Sequence, residues 1–222
     1  MDRSQLKMEA NQMLSQHFGF FFTLFIPYFI MEILTNMSNR GNESFSLING
    51  TLPPSYDGNL FLSTTIFGIV TMIFSYSATF NELDAWRNQS DFENGFSKSF
   101  NIMSSQKVFW GTIGVFIMSF IFITLWSFLL VFPAFIKACS YSQAVYIYRD
   151  AAKNGHPIGI LEAITKSRQL MDGHKAEYFV LQLSFIGWWI VVGITFGIAA
   201  IYVTPYTSLT MTRYYLNLNN EA

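Results

Sequence analysis

The chain has 222 residues, of which 51% are hydrophobic, 18% are aromatic and only 12% are charged, and its formal net charge is −1. A soluble domain carries about 25% charged residues, so this composition excludes an ordinary water-exposed surface. The single cysteine, Cys139, excludes a disulfide framework within the chain. Together with long uncharged tracts, the composition predicts an all-α, polytopic membrane helix bundle.

The chain begins with a short amphipathic stretch and a first apolar tract. Leu6, Ala10 and Met13 recur at helical spacing and predict a helix at the membrane surface. The tract 17–34 is close to the length of about 20 residues that crosses a bilayer. No signal-peptidase-like site follows it, so we expect it to stay as a membrane helix. The Asn- and Gly-rich segment 35–59 predicts an irregular outer loop.

The second apolar tract, residues 60–80, contains a polar triplet that recurs in the fourth predicted crossing. Ser-Tyr-Ser occupies residues 75–77 and again residues 140–142, where Gln143 follows it. Hydroxyl and amide groups inside a membrane helix either hydrogen-bond across helices or line a polar pathway. The sequence leaves both alternatives open, and the repetition indicates an internal duplication.

A second phrase, K-S-x3-M-x3-K, follows each triplet. It runs from Lys98 to Lys107 in the first copy and from Lys166 to Lys175 in the second. Each copy lies in a segment whose apolar residues share one helix face, which predicts an amphipathic cytoplasmic helix at the membrane surface. The residues of these faces are Phe92, Phe96, Phe100 and Met103 in the first copy, and Ile160, Ile164 and Met171 in the second.

The third and fourth apolar tracts are each too long for one crossing. As a single helix, residues 108–148 would be roughly 60 Å long at 1.5 Å per residue, about twice the hydrocarbon thickness. We expect this tract to turn back near Pro133, which either occupies the first turn of the returning helix or kinks a helix already under way. The stretch 176–217 must turn as well, and a turn near Gly197 leaves the last crossing long enough. The simplest count is about six transmembrane helices.

Two ionisable side chains fall inside predicted crossings, Glu32 in the first and Lys137 in the fourth. Charged groups within a bilayer are costly and are functional candidates. Both residues are predicted near the outer ends of their crossings, so they form a candidate intramembrane ion pair. The alternatives are that each side chain reaches the outer interface separately, or that both belong to a proton or ion relay.

Nearly all basic residues lie on one side of the predicted membrane. With six crossings, only Arg40 lies on the outer side and Lys137 lies within a span, whereas the other eleven lie on the opposite side. By the positive-inside rule, this distribution places both termini in the cytoplasm.

The two repeated phrases and the amphipathic start of the chain divide the sequence into similar parts. We predict one integral membrane domain over residues 1–222, with possible units 1–80, 81–149 and 150–222. Each unit would be a surface helix that leads into a pair of crossings.

No motif in the sequence identifies a reaction. The chain has no H-E-x-x-H, no metal-spaced Cys/His cluster, no G-x-S-x-G and no Walker loop. Its three histidines, His17, His156 and His174, are scattered along the chain. We therefore expect no catalytic residue, no cofactor, no metal site, no enzymatic activity and no nucleic-acid partner.

The C-terminal half carries a resemblance to a known family. Its phrases are PAFIKACSYS at 133–142, EAITKSRQLMDGHK at 162–175, LSFIGW at 183–188 and TPY at 204–206. Through them, residues 133–215 resemble an uncharacterised family of integral membrane proteins common in Gram-positive bacteria. Ala134 stands where the family pattern has glycine. The resemblance implies a multi-pass protein of the bacterial plasma membrane, and it implies no activity.

The hypothesis that fits these patterns best is a non-enzymatic plasma-membrane protein that scaffolds, senses the state of the envelope or assists another membrane system. Its partners would be the lipid bilayer, anionic lipid headgroups and a further membrane protein. The alternative is a small transporter or channel, since parallel repeats occur in transporters. The candidate headgroup contacts are the basic residues of the repeated phrases: Lys98, Lys107, Lys166, Arg168 and Lys175.

Overall fold

The computed structural model describes residues 3–49, 58–129 and 131–219. This part of the chain is built from helices and turns and contains no strand, which confirms the predicted all-α class. A short 3-10 helix, Asn101–Ser104, follows α4. The α-helices are α1 (Arg3–Gln16), α2 (Phe18–Asn49), α3 (Gly58–Trp86), α4 (Gly95–Lys98), α5 (Gln106–Leu129), α6 (Val131–Tyr141), α7 (Ala144–Lys153), α8 (Ile160–Leu170), α9 (Lys175–Leu183), α10 (Ile186–Ile194) and α11 (Ala200–Leu218).

Four stretches of the described chain are helical, long and apolar enough to cross a membrane. They are Phe18–Met37 in α2, Thr64–Trp86 in α3, Gln106–Ser127 in α5, and Lys175–Ile194 across α9 and α10. A total of six requires two more crossings, one formed by α6 with α7 and one by α11. The count of six stays a prediction.

Helix α2 continues well past its apolar tract. Thr35 Oγ1 and Asn36 Nδ2 each donate a hydrogen bond of 2.8 Å to a main-chain carbonyl one turn earlier, so these polar side chains bond to their own helix. The predicted irregular loop over 35–59 is therefore wrong as far as Asn49, because the helix runs to that residue. Residues 50–57 lie outside the described part of the chain.

The third apolar tract turns back on itself, and α5 and α6 pack against each other. Because α6 begins at Val131, Pro133 lies in its first turn, where the missing proline N–H removes no helical hydrogen bond. The returning chain breaks at Ser142 and Gln143 and then continues as α7. This break lies inside the second Ser-Tyr-Ser segment.

The fourth apolar tract turns near Gly197, as the sequence predicts. Between α10 and α11, Phe196 and Gly197 have left-handed φ angles of 52° and 91°, which end the helix. In the stretch before this turn, Lys175–Ile194, helix α10 has no buried residue. At the turn Phe196 is 98% exposed. Helix α11 differs sharply, because nine of its residues are buried.

Helix α1 packs against α11 and α2. Leu6 and Ala10 of the predicted stripe are fully buried in the core together with Leu14, whereas Met13 is only half-buried. Outside this stripe, Arg213 Nε donates to Glu9 Oε2 at 2.7 Å and ties α11 to α1. The apolar face of α1 is therefore covered by protein.

The first predicted surface helix is not continuous. Phe92 and Asn94 have left-handed φ angles of 53° and 50°, so the chain bends before α4, and α4 has only four residues. The bend is held in place by Phe92, whose ring stacks on His17 with centroids 3.6 Å apart. At Gly95, an added Cβ would lie 2.5 Å from the Phe20 carbonyl oxygen of α2. Glycine is required there because the two backbones approach closely.

The second predicted surface helix forms as α8, but its apolar stripe faces the protein. Ile164 is buried, and Ile160 packs at the edge of its cluster, with Gly114 of α5 beside it. Met171, just after the helix, is buried in the other cluster, which includes Leu6 and Ala10 of α1. The helix is followed by a turn at Gly173, which has a left-handed φ of 80°. A location at the membrane surface stays a prediction for both segments.

Candidate functional site

Helices α3 and α7 meet in a group of paired charges near the Trp86 end of α3, which we call the inner end. Arg87 Nη1 and Nη2 donate to Asp150 Oδ1 and Oδ2, both at 2.8 Å. Asp84 Oδ1 accepts from Arg149 Nη2 and from Lys153 Nζ, both at 2.5 Å. These five residues are here called the charge network. Its paired arginine and carboxylate groups give it strong, directional hydrogen bonds.

A third helix joins the network through a tyrosine. The Tyr215 hydroxyl of α11 donates to Asp150 Oδ2 at 2.8 Å. Burial alone would raise the pKa of Asp150. The hydrogen bonds and positive charge of Arg87, with smaller effects from Tyr215 and Arg149, outweigh burial, so the pKa lies below its ordinary value of 3.8. Asp150 is therefore ionised at neutral pH and links α3, α7 and α11.

Sequence reasoning missed this network. The partners that pair across α3 and α7 are more than 60 positions apart along the chain, and no motif joins them. The available signal was weak: Arg149 and Asp150 follow the fourth predicted crossing directly, and Asp84 and Arg87 end the second. A map of crossings places all four at one depth, but it does not identify the pairs.

A cavity of about 290 Å³ opens beside the charge network. It lies between the inner end of α3, the 3-10 helix with the start of α5, and α7. Ser77, Asn81 and Arg149 line it from the buried side, and Asn101 and Ser105 line it from the exposed side. The cavity thus connects buried polar groups with the surface.

A second buried carboxyl group, that of Glu82, has no charged partner. Its side chain is completely buried in α3, and Oε2 accepts from Ser208 Oγ at 2.6 Å and from Thr212 Oγ1 at 3.0 Å, both on α11. Tyr146 of α7 also interacts with Thr212. Oε1 has no hydrogen-bond partner, and no cation lies within ion-pair distance of Glu82 among the described residues. Asp150, by contrast, is paired with the cation of Arg87.

The two repeated phrases make contacts of the same kind. In the first copy, Asn81 Nδ2 donates to the Lys98 carbonyl at 3.0 Å and joins α3 to α4. In the second, Ser167 Oγ donates to the Ser140 carbonyl at 2.8 Å and accepts from the Gln143 N–H at 3.2 Å. Each K-S segment thus bonds to the chain that carries the preceding Ser-Tyr-Ser triplet. They use the Ser140 carbonyl and the Gln143 N–H, whereas the Ser140 and Ser142 hydroxyls donate to carbonyls of their own helical segment. Both alternatives for the triplet side chains therefore stay open, and the duplication itself stays a prediction.

The structure does not bring Glu32 and Lys137 together. Glu32 is exposed on α2 and accepts from Asn36 Nδ2 at 3.4 Å. Lys137 Nζ of α6 lies 4.7 Å from the centroid of the Trp126 ring of α5. The ion pairs of the described residues include none between Glu32 and Lys137, so the candidate pair is not formed here.

The five candidate headgroup contacts fall into two groups. Lys98 pairs with Asp91, Lys166 with Glu162 at 3.0 Å, and Lys175 with Asp172 at 3.1 Å. Lys107 and Arg168 are exposed and have no ion pair in the described part of the chain. Only these two therefore present an uncompensated positive charge.

The comparison with protein families gives one match. Residues 128–222 match the model of a family described as a protein of unknown function, DUF975. The matched part covers roughly two fifths of the chain and contains α6 to α11 and the Arg149 and Asp150 side of the charge network. The match confirms the predicted similarity of the C-terminal half to an uncharacterised family. No curated protein and no solved structure matches the chain.

Proposed function

We propose that this chain is a non-enzymatic, multi-pass protein of a bacterial plasma membrane, whose cytoplasmic face contacts anionic lipid headgroups. The observation that carries the proposal is the uncovered apolar surface of the span-length helices. Only 17% of Gln106–Ser127 and 11% of Lys175–Ile194 is buried within the protein. Apolar surface of this extent needs lipid or a protein partner to cover it.

The sidedness of the charges supports the orientation. The charge network lies at the inner end of α3, and Lys175 begins the span-length stretch Lys175–Ile194 at the end away from the turn at Gly197. A juxtamembrane Lys or Arg gains about 1 kcal/mol from an anionic bilayer surface. In this proposal the charged end faces the cytoplasm, and any scaffolding or sensing role acts there.

Orientation is tested by cysteine labelling in intact cells, in a background that carries Cys139→Ser. Ile198→Cys, next to the exposed turn, should react with a membrane-impermeant maleimide added outside. His156→Cys, in the exposed turn after α7, should react only after lysis. Labelling of both residues from outside, or of neither after lysis, would contradict the proposed topology.

Lipid contact is tested with two matched double variants. Lys107→Gln with Arg168→Gln removes the two uncompensated charges, whereas Lys166→Gln with Lys175→Gln removes two charges that have carboxylate partners. At about 1 kcal/mol per charge, the first variant should bind phosphatidylglycerol about 30-fold more weakly. The second should change binding much less. Bound lipid is counted by native mass spectrometry, and equal losses in both variants would remove the basis of the proposal.

A small transporter or channel is the second candidate, and Glu82 is the observation that favours it. A buried carboxyl group within a span-length helix, with hydroxyl donors on one oxygen and none on the other, is typical of proton and ion pathways. Proteoliposomes with an entrapped pH indicator test this function. Proton flux that Glu82→Gln abolishes supports transport, and a parent protein without flux contradicts proton transport.

A further inference from the structure

The cavity at the inner end of α3 contains a polar group that the fold leaves unused. Ser77 is completely buried, and its Oγ has no hydrogen-bond partner among the described residues. Buried polar atoms are nearly always paired, so such an atom needs an explanation. Because Ser77 lines the cavity, a ligand with a hydrogen-bond acceptor or donor would supply the missing partner.

The charges that line the cavity are unbalanced. Arg149 and Lys153 both donate to Asp84 Oδ1, and Arg149 also pairs with Asp150 Oδ1 at 3.2 Å, so together with Arg87 three cations share the two carboxylates of the charge network. The Arg149 side chain is only 7% exposed, whereas that of Lys153 is 41% exposed and lies toward the surface. A surplus positive charge beside a partly enclosed space favours an anion, since arginine and lysine both bind phosphate strongly.

The size and remaining walls of the cavity narrow the ligand class. Asn101 and Ser105 add polar groups at the exposed side, while Phe80, Ile102 and Val108 provide apolar contacts. A volume of about 290 Å³ is at the lower limit of small-molecule sites and suits a headgroup-sized molecule. A small phosphate ester meets all three conditions, because it is anionic, accepts several hydrogen bonds and carries carbon atoms beside the phosphate.

We propose that this cavity binds the phosphate of a single glycerophosphate-type ester, with Arg149 and Lys153 as the cationic contacts and Ser77 as a hydrogen-bond donor. The ester is supplied either by an anionic lipid headgroup or by a soluble glycerophosphate. The lipid source rests on the proposed membrane function, but the site is distinct from the exposed Lys107 and Arg168. The phosphate competes with Asp84 for the two cations.

The first test separates binding from folding. Ser77→Ala removes a hydroxyl group that no protein atom uses, so Tm in detergent should be unchanged or slightly higher. Binding of phosphatidylglycerol, titrated into the full-length protein and followed by native mass spectrometry, should weaken about fivefold, which corresponds to one lost hydrogen bond. Unchanged binding by Ser77→Ala would overturn the assignment of that contact and of the buried side of the site.

The second test uses variants with opposite expected signs. Lys153→Gln should weaken binding about tenfold, as expected for one charge-assisted hydrogen bond, and Asp84→Asn should strengthen it, because it removes the carboxylate charge that competes with the phosphate for both cations. The matched control is Lys166→Gln, an exposed lysine with its own carboxylate partner, which should leave binding at this site unchanged. If Lys153→Gln binds as the parent does, or if Lys166→Gln weakens binding equally, the site is refuted.

The third test distinguishes the two sources. The parent in phosphatidylcholine nanodiscs is titrated with sn-glycerol 3-phosphate and with inorganic phosphate, and Tm is recorded. A rise in Tm that depends on Ser77 and Lys153 supports the site and identifies a soluble ester. A response to phosphatidylglycerol alone, with the same dependence, supports the site and identifies lipid, and a response to neither refutes it. Loss of binding in Lys153→Gln but not in the Lys107 and Arg168 double variant would support the cavity and contradict the proposed headgroup contacts at Lys107 and Arg168.

Discussion

Arg87 binds Asp150 through two parallel hydrogen bonds of 2.8 Å: Nη1 donates to Oδ1, and Nη2 donates to Oδ2. The two residues lie 63 positions apart and join the end of α3 to α7. Because Tyr215 of α11 donates to the same carboxylate, one aspartate connects three helices. Asp150 is thus the carboxylate that holds α3, α7 and α11 together, while Asp84 adds a second link between α3 and α7.

Asp150→Asn should therefore lower the free energy of unfolding substantially. Removal of one partner from a largely buried ion pair leaves the remaining charge uncompensated and costs about 3 kcal/mol or more. The matched control is Asp172→Asn, whose side chain is 80% exposed and whose pair with Lys175 is a surface contact worth less than about 1 kcal/mol. Thermal unfolding in detergent measures both, and equal Tm values for the two variants would contradict the role of Asp150.

The same aspartate predicts a pH dependence of stability. Its pKa is lower in the folded protein than the ordinary value of 3.8. A carboxyl group of this kind contributes its full stability above the unfolded-state pKa, and the contribution is lost as the pH falls through the folded-state pKa. The Tm difference between the parent and Asp150→Asn should thus be constant at neutral pH and shrink below about pH 4. A difference that grows on acidification would contradict this sign.

Glu82→Gln should have the opposite effect on stability at neutral pH. A carboxyl group in a fully buried position without a cation is costly to ionise, and a neutral amide of nearly the same shape carries no such cost. The glutamine carbonyl can still accept from Ser208 and Thr212. We expect Tm to be equal to or higher than that of the parent. Glu9→Gln, which breaks the pair with Arg213, should lower Tm in the same assay and serves as the control.

Gly95→Ala should destabilise the contact between α4 and α2. The new methyl group would lie 2.5 Å from the Phe20 carbonyl oxygen, which belongs to a helix backbone and moves only at a cost. We expect a loss of about 1–3 kcal/mol, the usual range for overpacking. Gly19→Ala, in α2 with no atom within 4 Å of the new Cβ, should instead raise stability by about 1 kcal/mol. Chemical unfolding of both variants compares them directly.

The helices and turns that depend on local signals could be predicted from the sequence. Pro133 in the first turn of α6 and Gly197 between α10 and α11 follow from the conformational preferences of these residues. The ion pairs of Lys166 and Lys175 were readable too, since their partners lie four and three residues away on the same stretch of chain. Such features need only neighbouring residues.

The parts that failed depend on distant residues. Ile164 and Met171 of the second predicted stripe are buried in the protein, because periodicity shows that a face is apolar without showing what covers it; a location of α8 at the membrane surface stays a prediction. The segment at Phe92 has apolar residues at helical spacing, but its stacking on His17 and the bend at Asn94 interrupt the helix. The partners of Asp84 and Asp150 were likewise set by tertiary packing.

The pairing of α1 with α11 has a consequence for how the protein is made. Glu9 and Arg213 lie 204 positions apart, and Leu6, Ala10 and Leu14 are buried in a core to which α11 contributes. Helix α1 therefore leaves the ribosome well before α11, and its apolar face waits for that partner while the intervening chain is synthesised. During this interval the face is open to chaperones, insertion factors and proteases. A chain that lacks α11 would keep part of this face uncovered, so the contact reports whether synthesis has reached α11.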